Sequence, residues 1–283
     1  MVSRMLAWVQ ANRGRSWAAL LVYAVIVTLP HEQVQAVCSA IAVKITHAGL
    51  YRISAGMALV EFGAVSWFLN ASAAGLPQRR RTLTLWLLTL VLVACTWRVL
   101  TANNLELVHY AQYFPEGVVL AALTLSPAEA LSWVAVLGGI DEAYQYWVLS
   151  GGRPTAWDFN DIYMDVLGGA AGVVFALAFL RWTRVRRIVE RNRPGVVVLL
   201  SAITSGLALW AVGLIATMED KAHPHYWFAL GRLHAPSFWV QIVSNGPYRY
   251  HTMTPAEGVV VILGTVALYT AILRKYVITC ATS

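Results

Sequence analysis

The chain has little charge for its length. Of its 283 residues only 12% are Asp, Glu, Lys or Arg, whereas 58% are hydrophobic. A soluble domain usually carries roughly 25% charged residues. The scarcity of charge therefore argues against a soluble globular domain and favours a chain whose helices are surrounded by lipid.

Cysteine is also scarce, and recognisable nucleotide or nucleic-acid motifs are missing. Cys38, Cys95 and Cys280 lie far apart, so they predict neither a disulfide framework nor a zinc site. No glycine-rich phosphate loop is present. We attribute the net charge of +7 to cytoplasmic loops, and we expect no nucleic-acid partner.

Long apolar runs are what the sequence has in abundance. A helix of about 20 apolar residues crosses a bilayer, so we predict an all-α, polytopic transmembrane helix bundle. The predicted spans, about eight, are Trp17–Leu29, Leu50–Leu69, Leu83–Leu100, Glu106–Leu125, Ala130–Leu149, Ile162–Leu180, Val196–Thr217 and Ala256–Leu273. The second is weak because it contains Arg52 and Glu61, which leaves six or seven spans as alternatives. We expect Glu61 to face the bundle, and residues 31–48 to form an interfacial helix.

Basic residues indicate the orientation. Of the 21 Lys and Arg residues, 14 fall at the N-terminus, at Arg79–Arg81, in 181–193 and at Arg274–Lys275. The positive-inside rule assigns these segments and both termini to the cytoplasm. Of the 14 acids, only Glu129, in a predicted inner turn over 126–129, and Glu190 fall in inner segments. We therefore expect a multi-pass plasma-membrane protein whose acids gather on the extracytoplasmic side.

One polar stretch interrupts the apolar sequence. Acidic, amide and guanidinium side chains follow one another in it, namely Asp141, Glu142, Gln145, Arg153, Asp158, Asp161 and Asp165. Residues four apart share one face of a helix, so Asp141 and Gln145 should lie together. Gly168 and Gly172 form a small-residue pattern that lets helices approach closely.

This stretch resembles the VanZ-like membrane protein family. The resemblance rests on Asp141-Glu142…Gln145, Gly152-Arg153, Asp161…Asp165…Gly168…Gly172 and, upstream, His109…Tyr113…Gly117. Asp165 stands where the family usually has Asn, and the arginine-to-aspartate segment is slightly longer, which lets Asp158 share the role of Asp161. The resemblance covers 105–176. The apolar composition predicts one integral-membrane domain over 1–283, in which the resemblance implies a core at about 84–182 and leaves an extension at 195–283.

Under this topology the polar residues converge on an outer-leaflet pocket. The candidate catalytic residues are Asp141, Glu142 and His109. The candidate ligand-binding residues are Tyr113, Glu116, Gln145, Arg153, Asp158, Asp161, Asp165, His251 and Glu257. The segments His109…Pro115-Glu116-Gly117 and His251…Pro255-Ala256-Glu257-Gly258 also echo each other, as coincidence or as a repeat.

Structural roles fit the same residues. Asp141, Glu142 and Arg153 could form an ion-pair network, His109 could hydrogen-bond to Glu116, and Asp161 could be a helix N-cap. These alternatives stay open at the level of sequence.

Three functions follow. The resemblance implies a cell-envelope role of the teicoplanin-resistance type, with a polar pocket that binds or modifies a glycan, lipid-linked or glycopeptide ligand. The second hypothesis is an intramembrane acid–base or metal-dependent hydrolase or transferase, because buried carboxylates beside a histidine can exchange protons or bind a divalent metal. The third is a transporter that depends on Glu61. The sequence identifies no cofactor.

Overall fold

A computed structural model describes residues 1–72, 79–102, 104–149, 157–180, 193–217, 226–230, 238–239 and 249–280. These residues are mostly α-helical, which confirms the predicted fold class. The helices are α1 (Val2–Ala11), α2 (Arg13–Thr28), α3 (His31–Ile45), α4 (His47–Ser72), α5 (Arg79–Leu100), α6 (Val108–Thr124), α7 (Pro127–Tyr144), α8 (Phe159–Phe179), α9 (Pro194–Ala211) and α10 (Pro255–Cys280). A 3₁₀ turn over Asn104–Leu107 precedes α6, and a π-helical turn over Gln145–Leu149 continues α7.

Each predicted span overlaps one of these helices, including the weak second span, which forms α4. Within the described ranges five helices, α4, α5, α8, α9 and α10, are long and apolar enough to cross a membrane. Helices α2 and α6 have only 16 and 17 residues, and α7 carries Glu129, Asp141 and Glu142. The five apolar helices support a membrane-embedded protein in contact with lipid.

Helix α8 lies at the centre of the bundle. Ninety-four per cent of its apolar stretch is buried, against 6% for α4 and 11% for α9. It packs mainly against α6, α7 and α5. Because α4 and α9 leave apolar faces uncovered, they suit positions next to lipid, whereas α8 is shielded by protein.

Glycines allow α6 and α8 to pack backbone against backbone. A Cβ atom at Gly168 would lie 2.6 Å from the carbonyl oxygen of Tyr110, and one at Gly172 would overlap the carbonyl oxygen of Phe114. Gly117 of α6 would clash in the same way with Gly169 of α8. The close approach predicted from Gly168 and Gly172 is therefore confirmed, and it extends to Gly117, the last residue of the upstream motif.

A carboxylate organises the end of the bundle where α7 begins. Ser126 caps α7 by accepting the N–H of Glu129. The Glu129 carboxylate accepts the N–H groups of Gly195 at 2.6 Å and Val196 at 3.2 Å, at the start of α9. It also accepts the indole N–H of Trp133 at 2.9 Å. A carboxylate at a helix N-terminus satisfies free N–H groups and opposes the positive end of the helix dipole.

Helix boundaries differ from the predicted spans at several points. The span predicted to reach Thr217 stops as helix at Ala211, because Gly213 adopts a left-handed backbone (φ 77°). Ile215–Ala216 then pairs in parallel with Phe228–Ala229, a short bridge that the all-α prediction did not include. Helix α1 was not predicted either.

Glu61 is not buried in the bundle as expected. Glu61 is exposed on α4, at a position within electrostatic range of Tyr23 of α2. The faces of α4 are all largely apolar, so its sequence does not indicate which face packs against the bundle.

The internal echo does not correspond to a structural repeat. Pro115 and Glu116 lie inside α6, whereas Pro255 and Glu257 lie in the first turn of α10. The two similar strings therefore occupy different positions in their helices.

Candidate functional site

The beginning of α6, the end of α7 and the beginning of α8 bring polar residues together at one end of the bundle. His109 lies in the first turn of α6, and Asp161 and Asp165 lie one turn apart in α8. The Nδ1 atom of His109 is 2.9 Å from Oδ1 of Asp165, and its Nε2 atom is 3.7 Å from Oδ2 of Asp161. His109 is thus held between two aspartates, and the alternative of a His109–Glu116 hydrogen bond is wrong.

The end of α7 contributes two carboxylates that share one side-chain amide as a hydrogen-bond donor. The Gln145 side chain donates to Asp141 at 3.3 Å and to Glu142 at 3.2 Å, as the four-residue spacing predicted for Asp141. The other oxygen of Glu142 accepts the backbone N–H of Asp158 at 2.8 Å. Glu142 therefore connects the end of α7 with the start of α8.

Asp158, and not Asp161, is the N-cap of α8. Its carboxylate accepts the N–H of Asn160 at 3.0 Å. The helix consequently begins at Phe159, earlier than the predicted Ile162, and Asp161 is left in the first turn with its side chain near His109. The alternative that Asp161 serves as the N-cap is therefore wrong.

Tyr113 and Glu116 extend the site along α6 into the core. With His109 they follow helical spacing, and their exposed fractions are 5% for His109, 2% for Tyr113 and 1% for Glu116. Glu116 is within electrostatic range of Asp141 and Asp165, and Tyr113 is within range of the same two groups. The predicted common face of these three residues on α6 thus points toward the carboxylates of α7 and α8.

Glu106 joins the site from the 3₁₀ turn ahead of α6. Burial and the nearby Asp161 carboxylate raise the pKa of Glu106 to about 8, although the N–H of Ala102, which donates to Glu106 at 2.8 Å, opposes this change. A carboxyl group with so high a pKa can hold or release a proton near neutral pH.

We use the name carboxylate cluster for the acids that lie within electrostatic range of His109 or of one another. Its members are Glu106, Glu116, Asp141, Glu142, Asp158, Asp161 and Asp165. Like charges at this density are costly in a protein interior unless protons, cations or donors compensate them. Arg153, predicted to be one such partner, lies outside the described residues.

His251 and Glu257 form a second polar group at the start of α10. Nε2 of His251 is 3.3 Å from the Glu257 carboxylate, which also accepts the N–H and the hydroxyl of Thr254 at 2.7 and 2.9 Å. The ring of His251 stacks on Phe238. These contacts make a helix cap, and the predicted ligand-binding role of the pair stays a prediction.

Asn160 ties this second group to α8. Its side-chain amide donates to the carbonyl oxygens of Leu100 at 2.8 Å and His251 at 2.7 Å, and its oxygen accepts the N–H of Met253 at 2.9 Å. The start of α8 is therefore fixed against the end of α5 and the segment before α10.

The cluster has the groups that proton exchange requires. A histidine between aspartates can accept or donate protons, and buried carboxyl groups can do the same. In the part of the chain that the structure describes, no three His, Cys, Asp or Glu side chains are arranged to hold a metal ion. The divalent metal weighed from the sequence thus has no preformed ligand set there.

Two contributors were missed by sequence reasoning. Glu106 precedes His109 by three residues, a spacing that brings side chains to one side of a turn. Gly138 has no side chain, and a Cβ atom there would lie 2.6 Å from Oδ2 of Asp165. The pair Gly138-Gly139 just before Asp141 was the available signal.

Comparisons with protein-family models, curated proteins and solved structures find no match to this chain. The VanZ-like resemblance therefore stays a prediction that rests on the motif residues.

Proposed function

We propose that this chain is a multi-pass protein of the plasma membrane, with about eight spans, both termini in the cytoplasm and the carboxylate cluster near the extracytoplasmic surface. The basic segments support this orientation, since Arg79–Arg81 begins α5 whereas the cluster includes residues of the turn that follows α5. Arg13 donates to the carbonyl oxygen of Leu123 at the end of α6, away from His109 at its start. Basic residues and the cluster thus belong to opposite ends of these helices.

We further propose that the cluster binds or modifies a polar extracytoplasmic ligand of the glycan, lipid-linked or glycopeptide class. The observation that carries this proposal is the position of His109 among four carboxylates, those of Glu106, Glu142, Asp161 and Asp165, within a cluster of seven neighbouring acids. Such a site recognises a ligand with many hydrogen-bond donors, because each donor offsets part of the cost of burying acceptors.

The motif residues support a VanZ-like role. His109 and Tyr113 come from the upstream motif, and Asp161 and Asp165 come from the downstream one, yet His109 contacts both aspartates. Gly117 and Gly172 pack α6 against α8. Two motifs that resemble one family and meet in one site support a teicoplanin-resistance-type role in the cell envelope.

An acid–base hydrolase or transferase is the second candidate. The 2.9 Å contact between His109 and Asp165 favours it, because an aspartate that orients an imidazole is a common arrangement in proton transfer. The transporter hypothesis rests on Glu61, which is exposed on α4.

Growth inhibition tests the proposal. The wild-type chain and the variants Asp141→Ala, Glu142→Ala and Glu61→Ala are expressed in a teicoplanin-susceptible bacterium, with membrane insertion measured for each. We expect the wild type and the Glu61→Ala control to raise the inhibitory concentration, and the other two variants to insert without raising it. Equal protection by all four chains, or none by the wild type, contradicts the resistance role.

A further inference from the structure

Among the residues that the structure describes, three buried carboxylate oxygens have no hydrogen-bond partner. They are Oε2 of Glu116, Oδ1 of Asp141 and Oδ2 of Asp165. The exposed fractions of these residues are 1%, 4% and 1%. An acceptor that is buried without a donor is costly, and the cost is higher for a charged group. Three such atoms on three helices carry a large free-energy cost, which a ligand that supplies hydrogen-bond donors would reduce.

The three oxygens belong to one inner part of the carboxylate cluster. Oδ2 of Asp165 faces Gly138 on α7, one helical turn before Asp141. Glu116 is within electrostatic range of both aspartates. Asp165 uses its other oxygen for His109, and Asp141 uses its other oxygen for Gln145. Each aspartate thus has one oxygen engaged in the protein and one left for a ligand.

We infer that this inner part binds a primary ammonium group of the ligand, an inference that rests on the proposed function. A primary ammonium carries one positive charge and three N–H donors, as a lysine head does, which matches three unpaired carboxylate oxygens. A quaternary ammonium has the charge but no N–H donor.

The ammonium group could come from two sources with the same chemistry. Phosphatidylethanolamine carries it in the surrounding bilayer, and amino sugars or peptide amines carry it in solution. A lipid would enter from the apolar side of the helices, whereas a soluble amine would enter past His109 and Asp161. Matched probes separate these sources.

Native mass spectrometry of the full chain in mild detergent provides the test. Phosphatidylethanolamine is compared with phosphatidylcholine, and free ethanolamine with choline, because each pair differs in the N–H donors. The variants are Glu116→Gln and Asp141→Asn, with Glu61→Gln as the matched control on the exposed side of α4. Thermal unfolding of each variant in the same detergent verifies its fold.

We expect the primary amine to bind with a dissociation constant roughly tenfold or more below that of its quaternary partner. Each hydrogen bond to a charged group lowers a dissociation constant by about one order of magnitude or more. Glu116→Gln and Asp141→Asn should lower the affinity for the primary amine by a similar factor, whereas Glu61→Gln should leave that affinity unchanged. Selective binding of phosphatidylethanolamine alone identifies the lipid source, and binding of ethanolamine identifies the soluble source. Both outcomes support the ammonium site.

Equal binding of primary and quaternary amines overturns the inference, as does absence of amine binding to the wild type. An amine affinity that Glu116→Gln and Asp141→Asn leave unchanged in folded protein also overturns it. If these results appear while Asp141→Ala abolishes protection against teicoplanin, the inference fails and the proposed function stands. If the amine site is found but Asp141→Ala still protects, the proposed function fails instead.

Discussion

The carboxylate of Asp165 lies between His109 and Gly138, with one oxygen 2.9 Å from the imidazole and the other unpaired beside the glycine. It therefore connects α8 with α6 on one side and with α7 on the other. The absence of a side chain at Gly138 is what leaves room for the second oxygen.

Gly138→Ala should weaken ligand binding or protection about tenfold. The added methyl group would lie 2.6 Å from Oδ2 of Asp165 and displace it. A small misplacement of a group in a site can reduce its effect by that factor or more. Gly139→Ala is the control, since its Cβ would be 3.7 Å from Trp157, an ordinary contact. The two variants are compared in the same binding assay. Equal affinities would show that the position of Asp165 does not matter.

Gly172→Ala should destabilise the protein by about 1–3 kcal/mol, the usual cost of an overpacked core. The new Cβ would overlap the carbonyl oxygen of Phe114 and separate α6 from α8. At Gly206 in α9 nothing lies within 4 Å of the added Cβ, so Gly206→Ala should keep or raise the stability by up to about 1 kcal/mol. Thermal unfolding in detergent measures both, and a similar midpoint for the two variants would contradict the close packing.

Glu129→Ala should lower stability by about 1.5–3 kcal/mol, since hydrogen bonds to a charged acceptor are lost and buried N–H groups of α9 lose their partner. The contacts concerned are those to Gly195, Val196 and Trp133. Glu129→Gln keeps one acceptor oxygen and should fall between the wild type and alanine. An unchanged unfolding midpoint for both variants would show that Glu129 does not hold the start of α9.

The stability of the protein should depend on pH through Glu106. Its pKa is raised to about 8 in the folded state from an ordinary 4.5, because burial and Asp161 disfavour its charge. The folded state therefore holds a proton that the unfolded state releases between these values, so the contribution of Glu106 to stability is fully present below pH 4.5 and is lost as the pH rises through about 8.

Thermal unfolding between pH 5 and pH 9 measures this dependence. Glu106→Gln cannot lose a proton, so the decline should be smaller in that variant than in the wild type. Identical pH profiles for the two chains would mean that folding does not change the pKa of Glu106.

The helices could be predicted from the sequence, because apolar runs of membrane-spanning length signal helix wherever they occur. The direction of Glu61 could not, since α4 is apolar on every side. The end of α9 was also not predicted. Glycine adopts positive and negative φ with similar ease, so the sequence does not show that Gly213 is left-handed.

The members of the site were largely predictable, and their pairing was not. Spacing alone put His109, Tyr113 and Glu116 on one face of α6. Whether His109 meets Glu116 or Asp165 depends on how far α6 is displaced along α8, and that displacement is fixed by glycine contacts across the interface. A sequence shows which groups share a helix face, whereas the packing of helices decides which groups touch.

We propose that the carboxylate cluster holds a polar ligand. Native mass spectrometry of protein purified in mild detergent tests it most directly, with wild type, Asp141→Ala and the exposed-side control Glu61→Ala compared after identical preparation. We predict a polar ligand that stays bound to the wild type and to Glu61→Ala and is absent from Asp141→Ala. The same bound species on all three chains, or no bound species on the wild type, would contradict this account.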